Sequence, residues 1–156
     1  MASWGIYLDN SLGAGNPLGL AVVGASLLLA SLLSGCSSTP IASSSASPVP
    51  ADRLVAYFKP VSGANMLTVT RDTGFVGGAC SSQVFIDGKL AAYVRAGETV
   101  TLYVPQDEFI IGAQSSNPCP GPLVELEAKA KKGVVLRYRL SHTQNGDPGL
   151  VPTAVR

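Results

Sequence analysis

The sequence predicts an all-β fold, a small antiparallel β-sandwich of about five to seven short strands built from residues 53–142. Three observations predict it. From Arg53 onward, apolar and polar residues alternate with a period of two, and turn signals recur about every ten residues. After Cys36 no stretch shows a convincing helical stripe. The chain has 156 residues. Removing a leader and a linker leaves about 90–105 for a single core of sandwich size.

The strands follow in order. Asn65–Arg71 places Met66, Thr68 and Thr70 on one face and Leu67 and Val69 on the other. Gln83–Asp87 and Leu90–Val94 flank Asp87-Gly88, a step that favours a type I′ hairpin because both of its central residues need positive φ. Arg95-Ala-Gly-Glu98 is the next turn, and Thr99–Val104 then points Val100, Leu102 and Val104 one way before Pro105 ends it. Phe109–Ala113 is a short run ahead of the breaker-rich segment 115–122. Gly74-Phe-Val-Gly-Gly78 lacks the Lys-Ser/Thr of a phosphate loop and reads as a sharp bend into Cys80.

Val124, Leu126, Ala128 and Ala130 alternate with Glu125, Glu127, Lys129 and Lys131, and the chain resumes at Val134–Leu140 after Lys132-Gly133. A hairpin is expected, with Glu127 opposite Arg137 and Glu125 opposite Arg139 on its wet face. A helix over 123–132 is the rival, since Glu, Ala, Lys and Leu are good helix formers. Residues 143–156 contain Asn145-Gly-Asp-Pro-Gly149 and read as a flexible tail.

Chemistry is sparse. The only histidine, His142, is expected as a surface or strand-end residue, and no G-x-S-x-G elbow accompanies it. Asp72, Asp87, Glu98, Asp107 and Glu108 fall at expected turns, where carboxylates serve as turn formers. No C-x-x-C or H-x-x-x-H spacing supplies a metal site, and no cofactor motif occurs. The net charge is +1. Lys129, Lys131, Lys132, Arg137 and Arg139 are interleaved with Glu125 and Glu127, a pattern of a solvated strand face and not of nucleic-acid binding.

Ahead of the domain, Leu18–Leu33 is an apolar run that ends at Leu33-Ser34-Gly35-Cys36. At about 16 residues it suits the core of a secretion signal and is short for a membrane-spanning helix of about 20. An uncleaved anchor and a buried core helix are the alternatives. The cysteine at the edge of the run resembles the lipobox of bacterial lipoproteins. That resemblance implies a signal helix over 1–35, cleavage between Gly35 and Cys36, and acylation of Cys36 (palmitate among its acyl chains). Met1–Pro17 carries no Lys or Arg, which departs from the usual signal pattern. Ser37 stands where an Asp commonly retains Gram-negative lipoproteins at the inner membrane, so the resemblance implies an outer-membrane, periplasm-facing location. Residues 36–52, rich in Ser and Pro, then read as a disordered tether. With Cys36 acylated, Cys80 and Cys119 remain of the three cysteines. In an oxidising periplasm they are expected to form a disulfide, stabilising by roughly 4 kcal/mol for a loop of about 40 residues.

Val84-Phe-Ile-Asp-Gly-Lys89, Val94-Arg-Ala-Gly-Glu98 and Tyr103-Val-Pro105 together resemble PEGA-type surface-layer domains and related short bacterial lipoprotein domains. Those share a "V-x-I-D-G-K … G-E … V-P" run in an antiparallel β-sandwich. The resemblance spans about Arg71 to Ala113 and implies a fold more than a function. Gln106-Asp107 replaces the glycine usual after the V-P step. The expected function is a lipid-anchored, non-catalytic interaction or structural module with a protein partner in the cell envelope. The alternatives are a periplasmic hydrolase using Cys80 with His142 or a carboxylate pair, and a lipoprotein binding a small apolar ligand.

Overall fold

The computed structural model describes residues 38–119 and 121–154. The leader, Gly35 and Cys36 lie outside the described residues. The fold is all-β, with nine strands among the described residues: β1 Ser47–Pro48, β2 Asn65–Arg71, β3 Ser82–Ile86, β4 Lys89–Val94, β5 Glu98–Val104, β6 Glu108–Ser115, β7 Val124–Lys129, β8 Leu136–His142 and β9 Pro148–Pro152. A single 3-10 turn covers Ala51–Arg53. Among the described residues no helix is long and apolar enough to cross a membrane.

Two sheets form the sandwich. One has the order β1-β5-β2-β8-β9 and the other β4-β3-β6-β7. Most ladders are antiparallel, but β1 pairs with β5 and β2 with β8 in parallel. Period-two alternation builds the core directly. Leu67 and Val69 of β2, Val84 and Ile86 of β3, Leu102 and Val104 of β5 and Ile111 of β6 are all fully buried. The Asp87-Gly88 hairpin forms with positive φ at both residues (48° and 73°) and register Ile86↔Lys89. A bulge at Val84/Phe85 lets the consecutive residues Ala91 and Ala92 both be buried. Asn65 Nδ2 donates to the Gln106 carbonyl and to Asp107 Oδ1, each at 3.0 Å, and so fastens the turn after Pro105.

Three expectations are corrected. First, Val124–Lys129 is a strand, yet it does not pair with β8. β7 runs along β6, with Glu127 opposite Ile110, and the chain then crosses to the other sheet. There β8 lies between β2 and β9, satisfying two ladders where the hairpin would satisfy one. Cross-strand charge pairs of about 0.2–1 kcal/mol cannot compete with an extra ladder and burial of Tyr138 and Leu140. Second, the expected tail carries β9, which pairs along β8 from Tyr138↔Pro152 to His142↔Pro148 and buries Leu150. The turn signal Asn145-Gly146 closes a hairpin, with Gly146 at φ 87°.

Third, the described part of the expected tether, residues 38–52, is docked on the domain. Thr39 and Thr73 exchange backbone hydrogen bonds of 2.6 and 3.1 Å. Ser47 and Val49 donate to the carbonyls of Gly97 and Thr99, and Val49 is buried. Arg53 grips Glu98 through both carboxylate oxygens, with Nη1 to Oε2 at 2.7 Å. Burial raises the Glu98 carboxyl, but the Arg53 guanidinium and the Arg95 backbone N–H more than offset it and hold it below the usual range. A segment poor in apolar residues still orders where edge strand β5 offers unmet backbone groups.

Leu150→Ala therefore lowers stability by about 2–4 kcal/mol in urea unfolding, within the range for emptying a buried leucine site. An unchanged midpoint would return residues 148–152 to the status of a loose tail.

Candidate functional site

Strand parity brings four polar side chains into the sandwich at one end. Arg71 continues the inward face of Leu67 and Val69, and His142 continues that of Tyr138 and Leu140. Ser82 precedes Val84 and Ile86 on the inner face of β3, and Ser115 follows Ile111 and Ala113 on β6. All four are buried.

Arg71 is 1% exposed. Its Nη1 donates to the carbonyls of Cys80 at 2.6 Å and Val94 at 3.0 Å, and its Nη2 to that of Gly77 at 2.6 Å. Desolvation lowers its pKa to about 10, partly countered by the charge of Glu98, so it remains a cation at neutral pH. Among the described residues its Nε has no hydrogen-bond partner.

His142 is 5% exposed, a correction to the expected surface position although it does end its strand. Its Nε2 lies 3.2 Å from Ser115 Oγ and 3.5 Å from Ser82 Oγ. Desolvation, with a further contribution from the Arg71 charge, lowers its pKa to about 4, so the ring is neutral at pH 7. Gly77, at φ +69°, packs against the ring so closely that a Cβ there would lie 2.9 Å from His142 Cδ2. The Gly74–Gly78 segment makes the expected bend into Cys80, with the Gly78 N–H bonded to the Phe75 carbonyl and the Cys80 N–H to that of Gly77.

Cys80 and Cys119 form the expected disulfide, with Cα atoms 6.1 Å apart. It ties the entry to β3 to the loop between β6 and β7. Cys80 therefore supplies no thiolate, and His142 faces hydroxyls.

The turn carboxylates do not converge. Asp72 and Glu98 sit at this polar end, while Asp87, Asp107 and Glu108 sit at the other. Each has its own partner: Asp72 faces Arg139 Nε at 3.1 Å, Asp87 accepts from the Ile110 N–H at 2.8 Å, and Glu108 meets Lys129 at 3.4 Å. Asp72 is buried, which raises its carboxyl, and the Arg139 guanidinium and the Ile41 backbone partly offset this. Among the described residues no group of three His, Cys, Asp or Glu side chains is placed to hold a metal ion. The basic cluster expected on one strand face is divided, since Lys129 lies in one sheet and Arg137 and Arg139 in the other. Glu127 pairs with Lys129 at 3.2 Å, and Arg137 Nη1 donates to the Val135 carbonyl at 3.4 Å.

Two outcomes follow. Arg71→Leu strips donors from three carbonyls and lowers stability by on the order of 3 kcal/mol. Arg71→Lys recovers only part of this, because one ammonium cannot span the fork; full stability in the lysine variant would show that charge alone suffices. The second concerns pH. With the folded pKa of His142 below its unfolded value, the unfolded chain binds the extra proton between about pH 6.5 and 4. Stability therefore falls as pH drops through that window, by up to ~1.4 kcal/mol per pH unit. His142→Gln flattens this portion of the unfolding profile, and an identical slope in the variant would exclude the histidine as its source.

No protein-family model matches the chain, no curated protein matches it, and no solved structure matches it.

Proposed function

We propose that this chain is a bacterial envelope lipoprotein, anchored through acylated Cys36, whose β-sandwich is a non-catalytic interaction module. The observation that carries this reading is the Cys80–Cys119 disulfide. A structural disulfide belongs to an oxidising compartment such as the periplasm, in keeping with the export signal resembled at Leu33–Cys36. With two cysteines paired, Cys36 is the odd thiol that calls for a separate role.

The interior supports binding over chemistry. The one histidine is neutral and enclosed by Ser82, Ser115 and Gly77. The hydrolase reading loses its thiol to the disulfide and its carboxylate pair to separate partners. Capture of an apolar ligand between the sheets meets a core already filled by fully buried Leu, Ile and Val side chains.

The sandwich edges are the contact surface in this reading. The outer edge of β4 is partly covered by Leu54–Ala56, β1 is two residues long, and β9 has proline at both ends. Among the described residues β7 pairs only with β6, which leaves it an open edge flanked by exposed Glu125, Glu127 and Lys129.

Fractionation of wild type against Cys36→Ala tests the proposal. The wild-type chain is cut before Cys36, gains acyl mass and pellets with outer membranes, where pull-down from solubilised envelopes recovers its partner. The variant stays uncut and unacylated. Identical processing and fractionation of the two would overturn the lipoprotein reading.

A further inference from the structure

The docked arm measures how far the domain stands from its anchor. Thr39 is held by Thr73 through two backbone hydrogen bonds and a third from Thr73 Oγ1 to the Thr39 carbonyl at 3.2 Å. Only three residue steps separate Cys36 from Thr39, a contour of at most about 11 Å. An acyl group on Cys36 would thus hold Thr39 within about that distance of the lipid headgroups, with Thr73 one strand spacing of about 5 Å away.

Phe75 follows two residues later. It is 96% exposed, the most exposed large apolar side chain among the described residues. Its loop, Gly74-Phe-Val-Gly-Gly-Ala79, carries no charge. With Ala96 and Cys119 that loop lines a shallow depression. Arg71 and the disulfide brace it from behind through Gly77 and Cys80, so the aromatic ring projects from a fixed base. The neighbouring turn Arg95-Ala96-Gly97 packs against Thr73, where a Cβ on Gly97 would lie 3.2 Å from Thr73 Cγ2, and it carries an exposed arginine. An exposed aromatic side chain with a cation on the adjacent turn suits the boundary between acyl chains and headgroup phosphates.

We propose that the Phe75 loop is a second membrane contact. Its apolar tip sits in the lipid surface beside the acylated N-terminus and fixes which end of the sandwich faces the bilayer. The inference rests on the lipoprotein reading and deepens it, since it replaces a free-swinging domain by an oriented one. The opposite end, bearing the 130–135 crossover with its exposed Val134, is then turned away from the membrane.

Tryptophan fluorescence tests it on the full chain isolated from envelopes and reconstituted into phosphatidylethanolamine/phosphatidylglycerol vesicles. The only native tryptophan, Trp4, lies before the cleavage point, so the processed chain has none. Phe75→Trp and Val134→Trp each introduce a single probe at an exposed position. The indole from Phe75→Trp shows blue-shifted emission and protection from iodide. Bromines placed shallow in the acyl chains quench it more than deep ones, as insertion of roughly 5–10 Å requires. The indole from Val134→Trp stays open to iodide and is not quenched. Equal iodide access at the two positions, with Cys36 acylation verified by mass, would overturn the oriented contact alone. Absence of acyl mass would overturn it together with the lipoprotein reading.

Discussion

Burying a guanidinium without a carboxylate in hydrogen-bond contact is costly unless carbonyls meet its N–H groups, and Arg71 meets three of them. The donors stand on the five-stranded sheet, while the acceptors stand on the last residue of β4 and on the loop leading into β3. The contact therefore joins the two sheets at the end where apolar side chains give out. It also dictates the path of residues 74–80. The carbonyls of Gly77 and Cys80 must turn inward, which needs the left-handed backbone at Gly77 and brings its α-carbon onto the His142 ring. With the backbone so committed, Cys80 is positioned for Cys119 and Phe75 is left outside.

What the sequence made legible follows what is local. The Asp87-Gly88 turn, the inward faces of β2, β3 and β5 and the bend at Gly74–Gly78 depend on residues within a few positions of one another. The crossover from β7 to β8 was not legible, because charge alternation on the two segments matches a hairpin as well as strands in separate sheets. The choice lies in the second ladder that β2 and β9 offer to β8, many residues away. The ordered arm and β9 were missed for a related reason. Ser, Pro and Gly signal weak local preference and say nothing of whether a sheet edge elsewhere awaits pairing.

The polar end is the instructive case. Its signal was present in strand parity: Arg71, Ser82, Ser115 and His142 each occupy the inward position adjoining apolar neighbours in the same parity. Parity says where a side chain points, but four segments had to be placed around one another before those polar groups became mutual neighbours. Unravelling the expected β7–β8 hairpin also redistributes charge. Arg139 takes Asp72 and Glu127 takes Lys129, while Arg137, half-buried, donates to the Val135 carbonyl.

The parallel pairing of β2 with β8 has a consequence for how the chain matures. Its register joins Leu67 to Leu136 and Arg71 to Leu140, so the middle of the larger sheet is completed by a strand that follows all of β3 to β7 in the chain. A chain emerging from its N-terminus can assemble β2 with β5 and the β3, β4 and β6 meander well before β8 appears. During that interval the edge of β2 is an open template for any strand that reaches it. Contacts of such sequence separation also form slowly. The domain thus has a vulnerable period between emergence of β2 and arrival of β8, when a holding chaperone would matter most.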